Sequence, residues 1–196
     1  MKKEHILILA LTSLFSGCVF TVHDLPVDYT YSGQVPALAQ PNKPNLTVTE
    51  IKDTRTVENN RMIMNQTSGY GQTTTGGWQA EKELSLIVVD ALVQGFEAAG
   101  LIRPNAENIA ISGELIGVDS EIVTGWTKAT INMSVTVKLS ANKGDQIIWR
   151  DTLVGNGTSG KQTSIKNALK ESFSDALNDL VSNLLSDDYF RQQVIE

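Results

Sequence analysis

The most suggestive chemical pattern in this 196-residue chain is a run of glycines ending in a lysine. Gly155-Asn156-Gly157-Thr158-Ser159-Gly160-Lys161-Gln162 fits G-x-G-x-x-G and also begins like a P-loop. Both are devices by which backbone N–H groups hold phosphates. The context contradicts each. A dinucleotide site continues from its helix into a second parallel strand, with an acidic residue about 20 positions on at that strand's end. Here a helical pattern runs from the glycines almost to the terminus, and Asp175 and Asp179 fall inside it. A P-loop places Ser or Thr after its lysine to hold Mg²⁺, and this chain has Gln162. The glycines read as a strand-to-helix connection, and neither a nucleotide nor any other cofactor is expected.

Other reactive groups are sparse. Beyond the amino-terminal region the only histidine is His23, and the single cysteine is Cys18. Nucleophilic catalysis then lacks a base, and no serine stands in a G-x-S-x-G elbow. Carboxylates pair at Glu81/Glu83, Asp119/Glu121 and Asp187/Asp188. Asp119 and Glu121 would share one face at a strand end. Two carboxylates fall short of the six to eight oxygens that Ca²⁺ takes, so no metal site is expected. Paired carboxylates can hydrolyse glycans without histidine, which leaves a peptidoglycan-acting hydrolase open as the alternative function. Asp53-Thr54-Arg55 reads as a side-chain pair closing a turn.

Recognition has better candidates. Tyr70 and Trp78 flank a polar, glycine- and threonine-rich loop at 67–78, and Trp126 stands in a connection between strands. Loop aromatics suit contact with a partner, although Trp78 and Trp126 would equally serve to cap the core edge.

The amino terminus sets an address. Met1-Lys2-Lys3 precedes an apolar run of ten residues, Ile6–Phe15. A membrane-spanning helix needs about 20 such residues, whereas ten suits a signal peptide. Leu14-Phe15-Ser16-Gly17-Cys18 resembles the bacterial lipobox, with Phe15 where Leu is usual. That resemblance implies that residues 1–17 are removed and Cys18 carries lipid. The plainer alternative is an ordinary signal peptide with Cys18 an incidental buried thiol. An Asp after the cysteine tends to hold such proteins at the inner membrane. Val19 stands here instead, which implies the periplasmic face of the outer membrane.

Composition agrees with an anchored folded domain. Apolar residues make up 41% and charged residues 19%, enough to bury a core. Without residues 1–17 the chain keeps 14 basic and 21 acidic residues, a net charge of −7 against −6 for the whole. Such a chain has no broad attraction for nucleic acid or anionic lipid. One cysteine allows no internal disulfide. The expected partners are the membrane, through the lipid, and an envelope protein or peptidoglycan.

The elements that must position these residues follow from periodicity. Pro26, Pro36, Pro41 and Pro44 mark residues 18–44 as an extended tether, leaving 45–196 as a single domain. A strand pattern, imperfectly alternating, covers Leu46–Lys52, and Arg61–Met64 suggests a short strand within residues 56–80. From Glu81 to Ala99 apolar residues recur at three- and four-residue intervals, and Gly100 suits a helix stop. Strands are expected at about 109–118, 127–140 and 146–155, the last two joined by a hairpin turn. A second helix begins near Thr163 or Ser164, with a stripe from Ile165 to Leu185. The order β-α-β-β-β-α predicts an α+β fold: a mostly antiparallel sheet of about four strands with two helices packed on one face.

This order, and the residues that fill it, resembles the YajG-type family of uncharacterised bacterial lipoproteins. The carriers are Val48 through Asp53-Thr54-Arg55, the helix ending Ala98-Ala99-Gly100, the Asn142-Lys143-Gly144 hairpin and the trailing Asp188-Tyr189-Phe190. The 67–77 loop is longer than that family suggests. The resemblance implies a fold and an address but no activity. A non-catalytic binding or assembly module of the cell envelope is therefore the leading expectation.

Overall fold

Strict alternation builds the larger sheet. In the computed structural model, which describes residues 21–33, 44–67, 73–103, 107–124, 129–160 and 164–196, strand β6 (Ala129–Lys143) turns Ile131, Met133, Val135, Val137, Leu139 and Ala141 into the core. The residues between them (Asn132, Ser134, Thr136, Lys138, Ser140, Asn142) form the opposite, polar face. Strands β5 (Asn108–Thr124) and β7 (Gln146–Thr158) flank β6 antiparallel, and β2 (Asn45–Asp53) adds to β5 in parallel, giving the order β2-β5-β6-β7. The β6–β7 turn is Gly144-Asp145, with Gly144 at φ 58°. A register shift between Val48 and Glu50 explains why the alternation in β2 is imperfect.

Two helices cover the apolar face. Helix α1 (Leu84–Ala98) packs on β2, and α2 (Ile165–Ser186) packs on β6 and β7. Helix α1 ends in a Schellman turn: Gly100 N–H donates to Glu97 O, Leu101 N–H donates to Phe96 O, and Gly100 takes φ 72°. Ser164 caps α2, its hydroxyl accepting from Asn167 N–H. Glu81 and Glu83 precede α1, which begins at Leu84. The helices meet at Gly95, where an added Cβ would lie 2.1 Å from Val181 Cγ1. A last short helix, α3 (Asp188–Phe190), and a π-helical turn (Arg191–Ile195) bring Phe190 edge-on to buried Trp149, with ring centroids 4.9 Å apart.

The expectation of one sheet needs correction. A second, three-stranded sheet has the order β1-β4-β3, built from β1 (Val22–Leu25), β3 (Met62–Thr67) and β4 (Thr73–Ala80). The β3–β4 hairpin falls where a short strand and a polar loop at 67–78 are expected, and Thr73–Trp78 of that loop belongs to β4. Strand β1 pairs parallel to β4, and no local pattern announces such a pairing from a distance.

Its presence changes the tether too. Leu25 is fully buried, and the chain after it crosses the outward side of both helices. Gln94 of α1 accepts from Tyr31 N–H and donates to Tyr29 O, while Asn178 of α2 accepts from the Tyr29 hydroxyl at 2.9 Å and from Ser32 N–H. Burial, reinforced by neighbouring Tyr31, holds the Tyr29 hydroxyl well above the ordinary phenol range. Residues 21–33, expected to be part of a tether, lie on the domain as a strap. Gln94 is one of its fastenings.

Candidate functional site

The glycine motif resolves into packing. Gly155 and Gly157 lie inside β7, not in a loop, and face α2. A Cβ at Gly155 would sit 2.1 Å from Ala176 O, and one at Gly157 would sit 2.0 Å from Ser172 O. Only hydrogen in place of a side chain lets helix and strand backbones come this close. Helix α2 also protects the edge of β7: Asp179 Oδ2 accepts from Asn156 N–H at 2.8 Å, and Asn183 Nδ2 donates to Val154 O at 3.2 Å. Asp179 therefore holds a strand edge. Lys161 and Gln162 lie outside the described residues.

Asp53 and Arg55 are likewise structural. Their side chains are almost wholly buried and paired in two parallel bonds, Nε to Oδ1 at 2.9 Å and Nη2 to Oδ2 at 2.7 Å. The remaining guanidinium donors reach Met62 O and Asn60 O, so the pair pins the loop that leads from β2 into β3.

The surface that remains is a groove of about 730 Å³ between the small sheet and one end of the large one. His23 and Trp78 form one wall, on paired positions of β1 and β4, with ring centroids 4.8 Å apart and planes tilted by 32°. Met64 adds a flexible thioether from β3. The facing wall is Glu121 and Ile122 of β5 with Ile165, the first residue of α2. Ile165 was expected in the core stripe of its helix but stands 42% exposed, and Ile122 is 38% exposed. The groove thus joins aromatic and aliphatic side chains to one carboxylate and the polar residues Asn65, Gln66 and Ser120, the mixture found where proteins make contacts.

Of the predicted contact residues, Trp78 lines this groove. Tyr70, Trp126 and the lipid-bearing candidate Cys18 lie outside the described residues. Met64, Ile122 and Ile165 were missed as site residues: Met64 and Ile165 read locally as strand and helix-stripe positions, and Ile122 falls between the expected strands, whereas β5 runs on to Thr124. Asp119 and Glu121 do share one face. With Asn132, Ser134, Asn156 and Thr158 they line a shallow hollow of about 380 Å³ on the polar side of the large sheet. Among the described residues no three His, Cys, Asp or Glu side chains gather as a metal site would require.

No known family's sequence profile matches the chain, and no curated protein matches it by sequence. Solved structures do resemble it. A Xanthomonas campestris protein of the DUF330 family superposes with a TM-score of 0.53 at 18% identity, covering 84% of this chain and 92% of that one. A minor lipoprotein from Acinetobacter baumannii gives a TM-score of 0.42 at 12% identity over 56% of this chain and 87% of its own. Of these two, only the first is close enough to define a shared fold.

Proposed function

We propose that this chain is a lipid-anchored protein of the bacterial envelope, held through Cys18 at the periplasmic face of the outer membrane, and that it works there as a non-catalytic binding or assembly module. The groove beside Trp78 carries the reading. There an aromatic pair, a thioether and exposed aliphatic side chains line a common hollow. Its chemistry is that of contact, since apolar area supplies binding energy and Glu121 supplies orientation. The catalytic alternative is weakened by what the carboxylates do: Asp53 is fully engaged by Arg55, and Asp179 by the β7 edge and Asn183.

Two experiments test the two halves of this reading. Metabolic labelling with a clickable palmitate analogue should mark the natural chain and not Cys18→Ala; labelling of the variant removes the anchor. A photo-reactive residue at position 78, in intact cells, should crosslink to a specific envelope component, whereas positions 82 and 170 on the helices should not. Capture from the helix positions alone would move the binding face.

A further inference from the structure

We propose that the end of the domain carrying the groove rests against the bilayer itself, with Val22, Ile122 and Ile165 at headgroup level and the Gly144-Asp145 turn pointing away. The inference deepens the reading above and rests on lipidation at Cys18. Chain length carries it. The strap fixes the chain from residue 21 onward: Gly77 N–H donates to Thr21 O at 3.0 Å, β1 pairs with β4, and Leu25 is buried. Only three residue steps separate Cys18 from Thr21, and an extended chain covers about 3.3–3.6 Å per residue, so the lipid lies within about 11 Å of Thr21. A domain on a long tether could present any side to the membrane. This one cannot withdraw its small sheet.

The strand directions define which end that is. Strands β1 and β4 are parallel with Val22 opposite Gly77, so the chain enters β1 from the side on which β4 begins and β3 ends, the side of the Thr67–Thr73 pair. In the large sheet the groove is met by the last residues of β5 and the first residue of α2. The other end of the large sheet is the β6–β7 turn. From Asn132, paired with Glu121, to Lys143 the strand runs eleven residues, or about 36 Å at 3.2–3.4 Å each.

The surface chemistry agrees with the geometry. Near the anchor the exposed side chains include Val22, Ile122, Val123 and Ile165, next to the half-buried ring of Trp78, and aromatic rings of this kind favour the membrane–water interface. The far end also exposes Ile102 and Ile147, but there they stand among charges: Lys143 paired with Glu107, Arg103 and exposed Asp145. The net charge of −7 supplies no attraction to anionic headgroups, so the contact is apolar and short-range, made effective by the acyl anchor that holds it in place. A partner entering the groove must then be met at the membrane surface.

The test uses the lipidated full-length protein, in which acylation consumes the Cys18 thiol, so that one introduced cysteine is the only free one. Nitroxides at Val22→Cys, Ile165→Cys and Asp145→Cys would be compared in phosphatidylethanolamine/phosphatidylglycerol vesicles containing a nickel-chelating lipid. Relaxation by the headgroup-bound nickel should be at least threefold stronger at positions 22 and 165 than at 145. Equal relaxation at all three sites, in protein that floats with the vesicles, overturns the orientation and leaves the anchor standing. Failure to float overturns the anchor, and the orientation with it.

Discussion

The β7–α2 contact and the groove beside Trp78 share an end of the molecule and are built on opposite principles. In the first, glycines let two backbones touch, and Asp179 and Asn183 of the helix satisfy the strand edge. In the second, large side chains stand around unfilled space. The segment with the recognisable ligand-binding spacing is the one that holds the fold together. The segment without any motif is the one left open. Spacing alone reports what backbone geometry glycine permits, and a close helix approach needs the same permission as a phosphate.

The sharpest way to break this comparison is to fill the contact. Gly155→Leu should cost about 4 kcal/mol or prevent folding, because the new Cβ would meet a backbone carbonyl that cannot move aside. Urea denaturation reads this directly, and a loss below about 1 kcal/mol would show that the helix yields. Next in size is Arg55→Ala, expected to cost about 3 kcal/mol by leaving Asp53 buried without its partner. Lys52→Ala, which removes only the exposed Glu50 pair, should stay within about 0.5 kcal/mol. Equal losses from the two would mean that the Asp53–Arg55 pair does no more than a surface contact.

The strap offers a pH-dependent test. Because burial raises the Tyr29 hydroxyl in the folded state, the native chain keeps that proton after the unfolded chain has begun to lose it near pH 10. Its stabilising effect is therefore complete below about pH 10 and declines as the pH rises further, by at most about 1.4 kcal/mol per unit. Tyr29→Phe should lower stability by about 1 kcal/mol at neutral pH, by removing one of the two hydrogen bonds that Asn178 Oδ1 accepts, and should flatten the decline between pH 9 and 11. Parallel pH curves for the two proteins would contradict the burial of this group.

The smallest expected effects lie on the open side. Asp119→Asn combined with Glu121→Gln should change stability by less than about 0.5 kcal/mol, since both side chains are exposed. It should also leave muropeptide release by cells unchanged. A measurable fall would restore the hydrolase that the groove reading displaces.

The parts legible from residue order are those held by local rules. Helix α1, its Gly100 stop, the Ser164 cap, the β6–β7 turn and the four strands of the large sheet follow from periods of 3.6 and 2.0 and from glycine at positive φ. The turn-closing role of Asp53 and Arg55 was equally local, spanning two residues.

The amino-acid order by itself thus determined the strands of the large sheet and the two helices that cover it. Tertiary structure alone decided three further things: that β1 pairs with β4, 55 residues along the chain, that Gly155 and Gly157 exist for α2, and that Ile122 and Ile165 face a groove rather than the core. Each depends on which distant surface arrives against a residue. A side chain with an apolar reading is core when a neighbour covers it and site when none does, and its neighbours in sequence carry no record of which.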